Sequence, residues 1–469
     1  MIKHIVIIGG GTAGLIVALI LKTRLPIIKI EIIKSDKIGI IGVGEGSTNQ
    51  FKEFMDVCNI TEQEIIEEAD ATFKVGVLFE GWTPQDYCHS VNEAHQFRIG
   101  QYQAYYAYLI GHQIPIQNEQ PILNKCIPFK YFFNQYHFNT FKLNDFLVKK
   151  SKAIGIKFTE DKIVSVETKK GIHALHGEKK KYTADFYIDA TGFKKLLISK
   201  LGAQWKSFNL PMNEAIAFQT PDTDNYSPWT LAKAMTAGWM WRIPTYGRWG
   251  NGYIYDNHYI NMDQAKREAE KYIGHPITIG KHVTFDAGGL ETPWIENCVA
   301  MGLSATFAEP LEASSIGITI QQAFLLCHYL INTNQQDKDT YNKSCRAIFK
   351  NARDFIAIHY LVKRKEKFWK ELKIDFSPDF TAQLKQWKNR LPLHEEFSKN
   401  YLLFYNRNFI VVLAGLGYFN NNKIKKELQC YGSKIKEYMK IKFNENKVLD
   451  HEPTITHKEY LRRIRNQDD

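Results

Sequence analysis

The stretch 4-HIVIIGGGTAGLIVALIL-21 restricts the possible folds of this chain more than any other. A short run of apolar, mostly β-branched residues meets a cluster of glycines, and a longer apolar run follows. That order reads as a buried parallel strand, a tight turn and a helix. Gly9, Gly11 and Gly14 stand at the G-x-G-x-x-G positions. The first glycine permits the turn, the second lets backbone approach a pyrophosphate, and the third lets helix and strand pack closely. With Thr12 and Ala13 they form the mouth of a helix N-terminus, where free N–H groups and the dipole favour anions. Pro26 ends the helix, and 28-IKIEIIK-34 reads as the next strand. The fold class expected is α/β, Rossmann-like.

The acid that usually binds a ribose about 20 residues after such a turn is replaced by Lys34, with Glu31 and Asp36 as the nearest acids. The sequence leaves open which of them meets a ribose, and whether Lys34 meets a phosphate. A second buried strand, 187-YIDATGF-193, ends in Ala190-Thr191-Gly192, a return of the chain typical of FAD rather than NAD proteins. No second glycine fingerprint for NAD(P)H stands out, so the flavin is expected to be reduced elsewhere. A simple glycine turn without ligand is the plainer alternative. A third strand and turn, 296-ENCVAMGLSA-305, contains Gly302.

These elements lie far apart along the chain, which argues for interleaving. Residues 1–345 are expected to form an FAD-binding core with a β-rich substrate region threaded through it. Residues 346–469 are expected to form a mostly helical part packed on that core. Residues 49–74 and 143–153 read as helical, 163–183 as hairpin-like, 213–260 as a meander of strands, and the chain from Ile316 as helix. About the last 15 residues are strongly charged and are expected to fray.

Composition narrows the function classes. The chain has 469 residues, 44% hydrophobic and 13% aromatic, enough for a sizeable ordered core. Its formal charge is +11. The lysines are scattered among Asn, Ile and Glu, and no zinc-finger, homeodomain or RNA-recognition pattern occurs. A solvated basic surface is therefore expected, with no nucleic-acid partner. Seven cysteines without a C-x-x-C pair suit a reducing cytoplasm and no metal site. No apolar run of about 18 residues exists to cross a membrane.

Further strings then fall into line. GGGTAG is followed by 42-GVGEGST-48, 72-TFKVGVLFEGW-82, 239-WMWRIP-244, 307-FAEPLEASSIG-317 and 353-RDFIAIHY-360. This order and spacing resemble the flavin-dependent halogenases of the tryptophan-halogenase family. The resemblance implies a glutathione-reductase-type FAD fold with a helical C-terminal part. It also implies an oxidoreductase using FAD, supplied as FADH2 by a separate flavin reductase, with O2 and a halide ion. Halide is oxidised to hypohalous acid and delivered to Lys74, and an electron-rich indole or phenol is halogenated. Glu312 polarises the halogenating agent and takes the ring proton. Gly42, Gly44, Glu45 and Gly302 join the glycine turn around the cofactor. Ser314 and Ser315 occupy the halide-binding place before a helix, where Thr-Gly is commoner, a change that opens a preference for bromide or iodide. Trp239, Trp241, Ile243 and Pro244 wall a tunnel that keeps organic substrate from the flavin.

The GEGST and EPLEASS variants resemble a marine or viral branch, and the Lys/Ile/Asn-rich composition suits a cyanophage. The cytoplasm, that of a host if viral, is the expected location, and a homo-oligomer is left open. Plainer readings stand beside these. Lys74 alone would be a surface lysine at a strand edge, Glu312 a carboxylate favoured by a helix dipole, and the two tryptophans core. An FAD-dependent aromatic monooxygenase, or a flavin- or nucleic-acid-binding protein without turnover, are the competing functions.

Overall fold

The parallel strand, glycine turn and helix form as the opening sequence expects, with a strand His4–Ile8 and a helix Thr12–Arg24. The structure is a computed structural model that describes residues 2–36, 38–39, 45–90, 101–114, 126–128, 134–223, 226–331, 334–397, 401–449 and 454–465. The chain forms two compact units and passes repeatedly between them: 1–71, 138–210 and 286–353 make one, and 72–137, 211–285 and 354–469 the other.

The first unit is built on a six-stranded sheet. Its spatial order is Trp294–Ile295, Cys298–Ala300, Phe186–Asp189, His4–Ile8, Lys29–Lys34, Lys157–Glu160. All neighbours are parallel except the Trp294–Ile295 edge. The helix Thr12–Arg24 is apolar all round and buried from Gly14 to Leu21. It packs against the helices Thr140–Ala153 and Ser314–Tyr329, so both its faces find apolar partners. Register explains why three distant strings share one edge. Ile8 pairs with Asp189, and Asp189 with Ala300, so the turns after all three strands leave the sheet side by side. That carboxyl edge is where open α/β sheets bind ligands.

The second unit is built on a seven-stranded sheet in the order Ile279–Thr284, Glu214–Pro221, Arg248–Tyr255, Gly238–Thr245, Trp229–Met235, Gly76–Glu80, Tyr87–Ser90. It is antiparallel except where Trp229–Lys233 runs beside Gly76–Glu80. The expected meander over 213–260 supplies four of these strands. Its helices include Gln101–Gly111, which packs on Asn421–Cys430.

Two expectations are corrected. Helix does not continue to residue 74: the helix Glu62–Glu68 stops where Asp70 turns left-handed at φ 50°. Asp70 is fixed there by Lys142 and Asn139, and Thr72–Phe73 is then strand. The charged end does not fray over its described part. Thr454–Thr456 pairs antiparallel with Cys126–Pro128, and the helix His457–Arg465 buries His457 and Leu461. Those two residues outweigh the charge of the helix.

Candidate active site

The first unit holds the dinucleotide cradle. Gly9 adopts φ +118°, and a Cβ there would lie 2.2 Å from Ala190 O; one on Gly14 would lie 2.1 Å from Gly9 O. Gly302, at φ +60°, approaches Ala13, where an added Cβ would lie 2.6 Å away. These contacts leave no room for side chains where the three strand ends meet. Gly11 precedes the helix with extended backbone, no side-chain cap among the described residues and no acid in the first turn. The first N–H groups are thus left for an anion. An FAD pyrophosphate fits this arrangement. Gly42 and Gly44 lie outside the described residues, as does the side chain of Glu45. Thr48, from the same string, buries a hydroxyl that has no hydrogen-bond partner among the described residues.

The ribose question sharpens at the end of the second strand. Glu31 is held by Thr159 and by Lys157 at 3.1 Å, so its carboxylate serves the sheet. Lys34 lays its stem against Gly10 and its Nζ 2.7 Å from Asp36. Of the two acids, Asp36 is the exposed one.

Two residues that the sequence reading missed hold this cradle. Asn144 donates from Nδ2 to Gly10 O at 3.0 Å, and Thr12 Oγ1 lies 3.4 Å from Asn144 Oδ1. Asp189, fully buried, accepts from the N–H groups of Thr191, Leu197 and Ile198 at 2.7–3.0 Å. It also accepts from Ser304 Oγ at 3.1 Å. One carboxylate thereby fixes the Ala-Thr-Gly turn and ties it to the strand end carrying Gly302. The Asp and Thr191 lie within the quoted string; its other donors, eight and nine positions on and in another string, carry no local signal.

The same unit places Glu312 and the serines. Glu312 and Ala313 are both left-handed, at φ 64° and 54°. They form a turn into the helix Ser314–Tyr329, and the strand Glu45–Gly46 lies against that turn. Glu312 is buried, at 3% exposure. It stands two residues before the helix Ser314–Tyr329 with left-handed backbone. The helix starts at Ala313 without a side-chain cap and without first-turn acids. Ser314 is buried, and its Oγ has no partner among the described residues. Ser315 is half-buried, and its carbonyl accepts from Thr319 Oγ1 at 2.9 Å. A left-handed residue followed by a right-handed one turns successive N–H groups toward one point. With the helix dipole this is a geometry that favours an anion.

The second unit places Lys74 and the tryptophans. Lys74 is 1% exposed, so the surface-lysine reading fails. Its N–H donates to Gln135 O at 3.0 Å, and Val75 N–H to Pro228 O at 2.7 Å. The preceding Thr72 donates its hydroxyl to Pro244 O at 2.7 Å, which joins the TFKVG and WMWRIP strings directly. That hydroxyl has one proton, so His137 Nδ1, 3.2 Å away, carries the hydrogen toward it. His137 Nε2 then accepts from Thr230 Oγ1 at 2.8 Å. Burial holds His137 well below the ordinary histidine range, helped by the charge of Lys74 and by His457.

Trp239 and Trp241 share a face, as their spacing expects, with ring centroids 6.0 Å apart. Trp239 donates its indole N–H to Tyr360 Oη at 3.1 Å and lies 6.5 Å from Trp82. Three of the quoted strings therefore meet in one aromatic cluster. Trp241 lies across Gly252, where a Cβ would come within 2.1 Å of the indole. Ile243 and Pro244 are buried. Pro244 lies beyond the last pair that joins its strand to Trp229–Met235, so no ladder bond is lost to its missing N–H.

Comparison with known proteins follows the same lines. The family model described as tryptophan halogenase matches residues 4–429, so the segment holding His457 lies past that match. The 7-chloro-L-tryptophan 6-halogenase KtzR of Kutzneria sp. (strain 744) is 28% identical, over 99% of this chain and 100% of its own. A crystal structure of a tryptophan halogenase from Shewanella frigidimarina NCIMB 400 superposes with a TM-score of 0.89 at 24% identity, covering 99% of this chain and 98% of that one. Xcc4156, a flavin-dependent halogenase from Xanthomonas campestris, gives 0.88 at 26% identity, covering 99% and 98%.

Proposed function

Since the chain belongs to the tryptophan halogenase family, whose members are flavin-dependent oxidoreductases acting on aromatic rings, we propose that it halogenates electron-rich aromatic small molecules, free indoles or phenols, with Lys74 and Glu312 as its two catalytic residues. The observation that carries this is the burial of Lys74 directly after a short strand whose Thr72 is hydrogen-bonded to the WMWRIP strand. A lysine buried there and pinned by its own backbone is placed for chemistry rather than for solvation.

When bound, FADH2 supplies the electrons that let O2 oxidise halide to hypohalous acid; a separate flavin reductase regenerates it. The glycine turn and the Ala-Thr-Gly turn bind the cofactor. The N–H groups after Ala313 hold halide. Lys74 retains the oxidant in one of two ways: as an ammonium that hydrogen-bonds hypohalous acid and raises the electrophilicity of the halogen, or as a neutral amine whose nitrogen takes the halogen while the O–X bond breaks and hydroxide leaves with the amine proton as water. Glu312 takes the proton that leaves the ring carbon as the arene regains aromaticity. Trp239 and Trp241 form a rigid wall that keeps organic substrate from the flavin. Replacement of Thr-Gly by Ser314-Ser315 adds a hydroxyl beside the halide site and supports a preference for bromide or iodide. The GEGST and EPLEASS variants support a viral or marine source, and a cytoplasmic location goes with it.

The test is direct. Protein, FAD, a flavin reductase with NADH, O2 and mixed chloride, bromide and iodide are incubated with a panel of indoles, phenols and anilines, and product masses are read. Halogenated products are expected from wild type, and loss of at least a hundredfold in Lys74→Ala and Glu312→Gln. Oxygen appearing in product instead of halogen would assign the monooxygenase reading. Full halogenation by Lys74→Ala would remove that residue from the mechanism.

A further inference from the structure

The strand Thr72–Phe73, which leads into Lys74, has a partner that the proposed mechanism does not use. Thr72 and Phe73 pair with His137 and Tyr136. The N–H of Phe73 does not go to a carbonyl of that ladder. It donates to the imidazole Nε2 of His457 at 3.0 Å. His457 is 1% exposed, and its ring stacks on that of Phe73 with centroids 5.9 Å apart and planes at 28°. Tyr226 meets the same imidazole edge-on, at 6.3 Å. The residue before Lys74 is thus held from behind by a side chain 384 positions later.

His457 is itself fixed at both ends. The strand Thr454–Thr456 pairs with Cys126–Pro128. Thr456 Oγ1 accepts from Glu459 N at 3.2 Å, which starts the helix His457–Arg465. Lys458 reaches Asp222 at 3.1 Å and sits over the Tyr226 ring, and the Arg465 guanidinium lies 3.9 Å from the Tyr246 ring centroid. Tyr246 is the first residue after the strand Gly238–Thr245. The segment therefore holds Asp222, Tyr226 and Tyr246 and delivers one acceptor to the backbone of Phe73.

We propose that the C-terminal segment Thr454–Arg465 is a positioning element of the Lys74 site and acts through the His457 acceptor. His457 touches no reacting atom. It fixes the backbone one residue before Lys74, and with it the direction from which the lysine meets oxidant and arene. A misplacement of about 1 Å in such a group costs on the order of a hundredfold in rate. The inference rests on the reading of Lys74 given above.

The test compares His457→Gln, whose amide oxygen can accept the Phe73 N–H, with His457→Phe, which keeps the ring stack without an acceptor. His457→Met is the second acceptor-free variant and takes over if the Phe variant does not fold. Full-length proteins are compared for FAD affinity, for O2 consumed, and for halogenated product formed per O2. The expected result is FAD affinity within twofold of wild type in all variants. Product per O2 should fall roughly tenfold in the acceptor-free variants and remain near wild type in His457→Gln. Wild-type coupling in the Phe or Met variant overturns the proposal. So does an equal loss in the Gln variant, because an acceptor at this position would then not restore coupling. Lys74→Ala serves as the control: if it retains coupled halogenation, the reading of Lys74 fails, and the His457 variants are not then the cause.

Discussion

Glu312 and Ala313 hold consecutive left-handed conformations without being glycine. Each such residue is strained by about 1–2 kcal/mol, because its Cβ crowds the following carbonyl. Leu311 and Ser314, on either side of the turn, are buried, and the turn leads directly into a sixteen-residue helix. Strain of this kind belongs to a site. Ala313→Gly removes the Cβ and should raise unfolding free energy by about 1 kcal/mol, read as a higher urea midpoint with unchanged slope. On the proposed reading, in which this turn holds halide, the same change frees the turn to leave that shape, so the halide KM should rise at least twofold while product identity stays the same. A variant no more stable than wild type would show that the surroundings, rather than the residue, bear the strain.

At the scale of elements, the strand Thr72–Phe73 is held between two buried histidines, and both must be neutral. His137 donates from Nδ1 and accepts at Nε2, and His457 accepts at Nε2. Burial is the main cause of both depressed pKa values. That of His457 falls to about 3, with backbone groups of Ser227 and Tyr226 opposing the shift. A depressed histidine binds its proton more readily in the unfolded chain. Its contribution is therefore complete above the unfolded value of about 6.5 and is lost as pH falls from there toward about 3. The slope is at most about 1.4 kcal/mol per pH unit for each histidine. Urea unfolding at pH 7 and pH 5 should show His457→Gln losing less stability on acidification than wild type, by up to about 2 kcal/mol. Equal losses would mean that His457 is already protonated in the folded protein at pH 5.

The same strand shows where sequence reading ran out. The strand His4–Ile8, the glycine turn and the helix after it were legible, because period, length and glycine placement agree locally. Thr72–Phe73 read as the tail of a helix, because two residues have no period. What makes them strand is a ladder to residues 136–137 and an acceptor at 457. Asn144 and Asp189 were missed for the same reason, since each acts on backbone brought near by the fold. Lys74 and Glu312 were found through family strings, and their burial became visible only in three dimensions.

For the whole molecule, the decisive fact is that sheet register gathers distant strings. Ile8, Asp189 and Ala300 stand side by side in the first unit, so the proposed cofactor binding draws on 9–14, 190–192 and 301–302 together, although the chain crosses into the other unit between them. Local glycine chemistry should then control a global property. FAD at a hundred times its Kd stabilises a folded state that alone binds it by about 2.7 kcal/mol. Gly14→Ala places a methyl 2.1 Å from Gly9 O, a backbone atom that a flexible side chain cannot stand in for. The turn must open, and the N–H groups of the helix lose their aim. FAD affinity in Gly14→Ala should fall about tenfold, and at the same FAD concentration the FAD-induced stabilisation should fall to about 1.4 kcal/mol, with the rise in melting temperature roughly halved. The far-ultraviolet dichroism should stay that of wild type. The net charge of +11 offers the opposing expectation of a nucleic-acid binder. A wild-type protein stabilised by DNA in a salt-sensitive way and indifferent to FAD would decide for that reading, because neither the glycine turn nor its register would then matter to what the molecule binds.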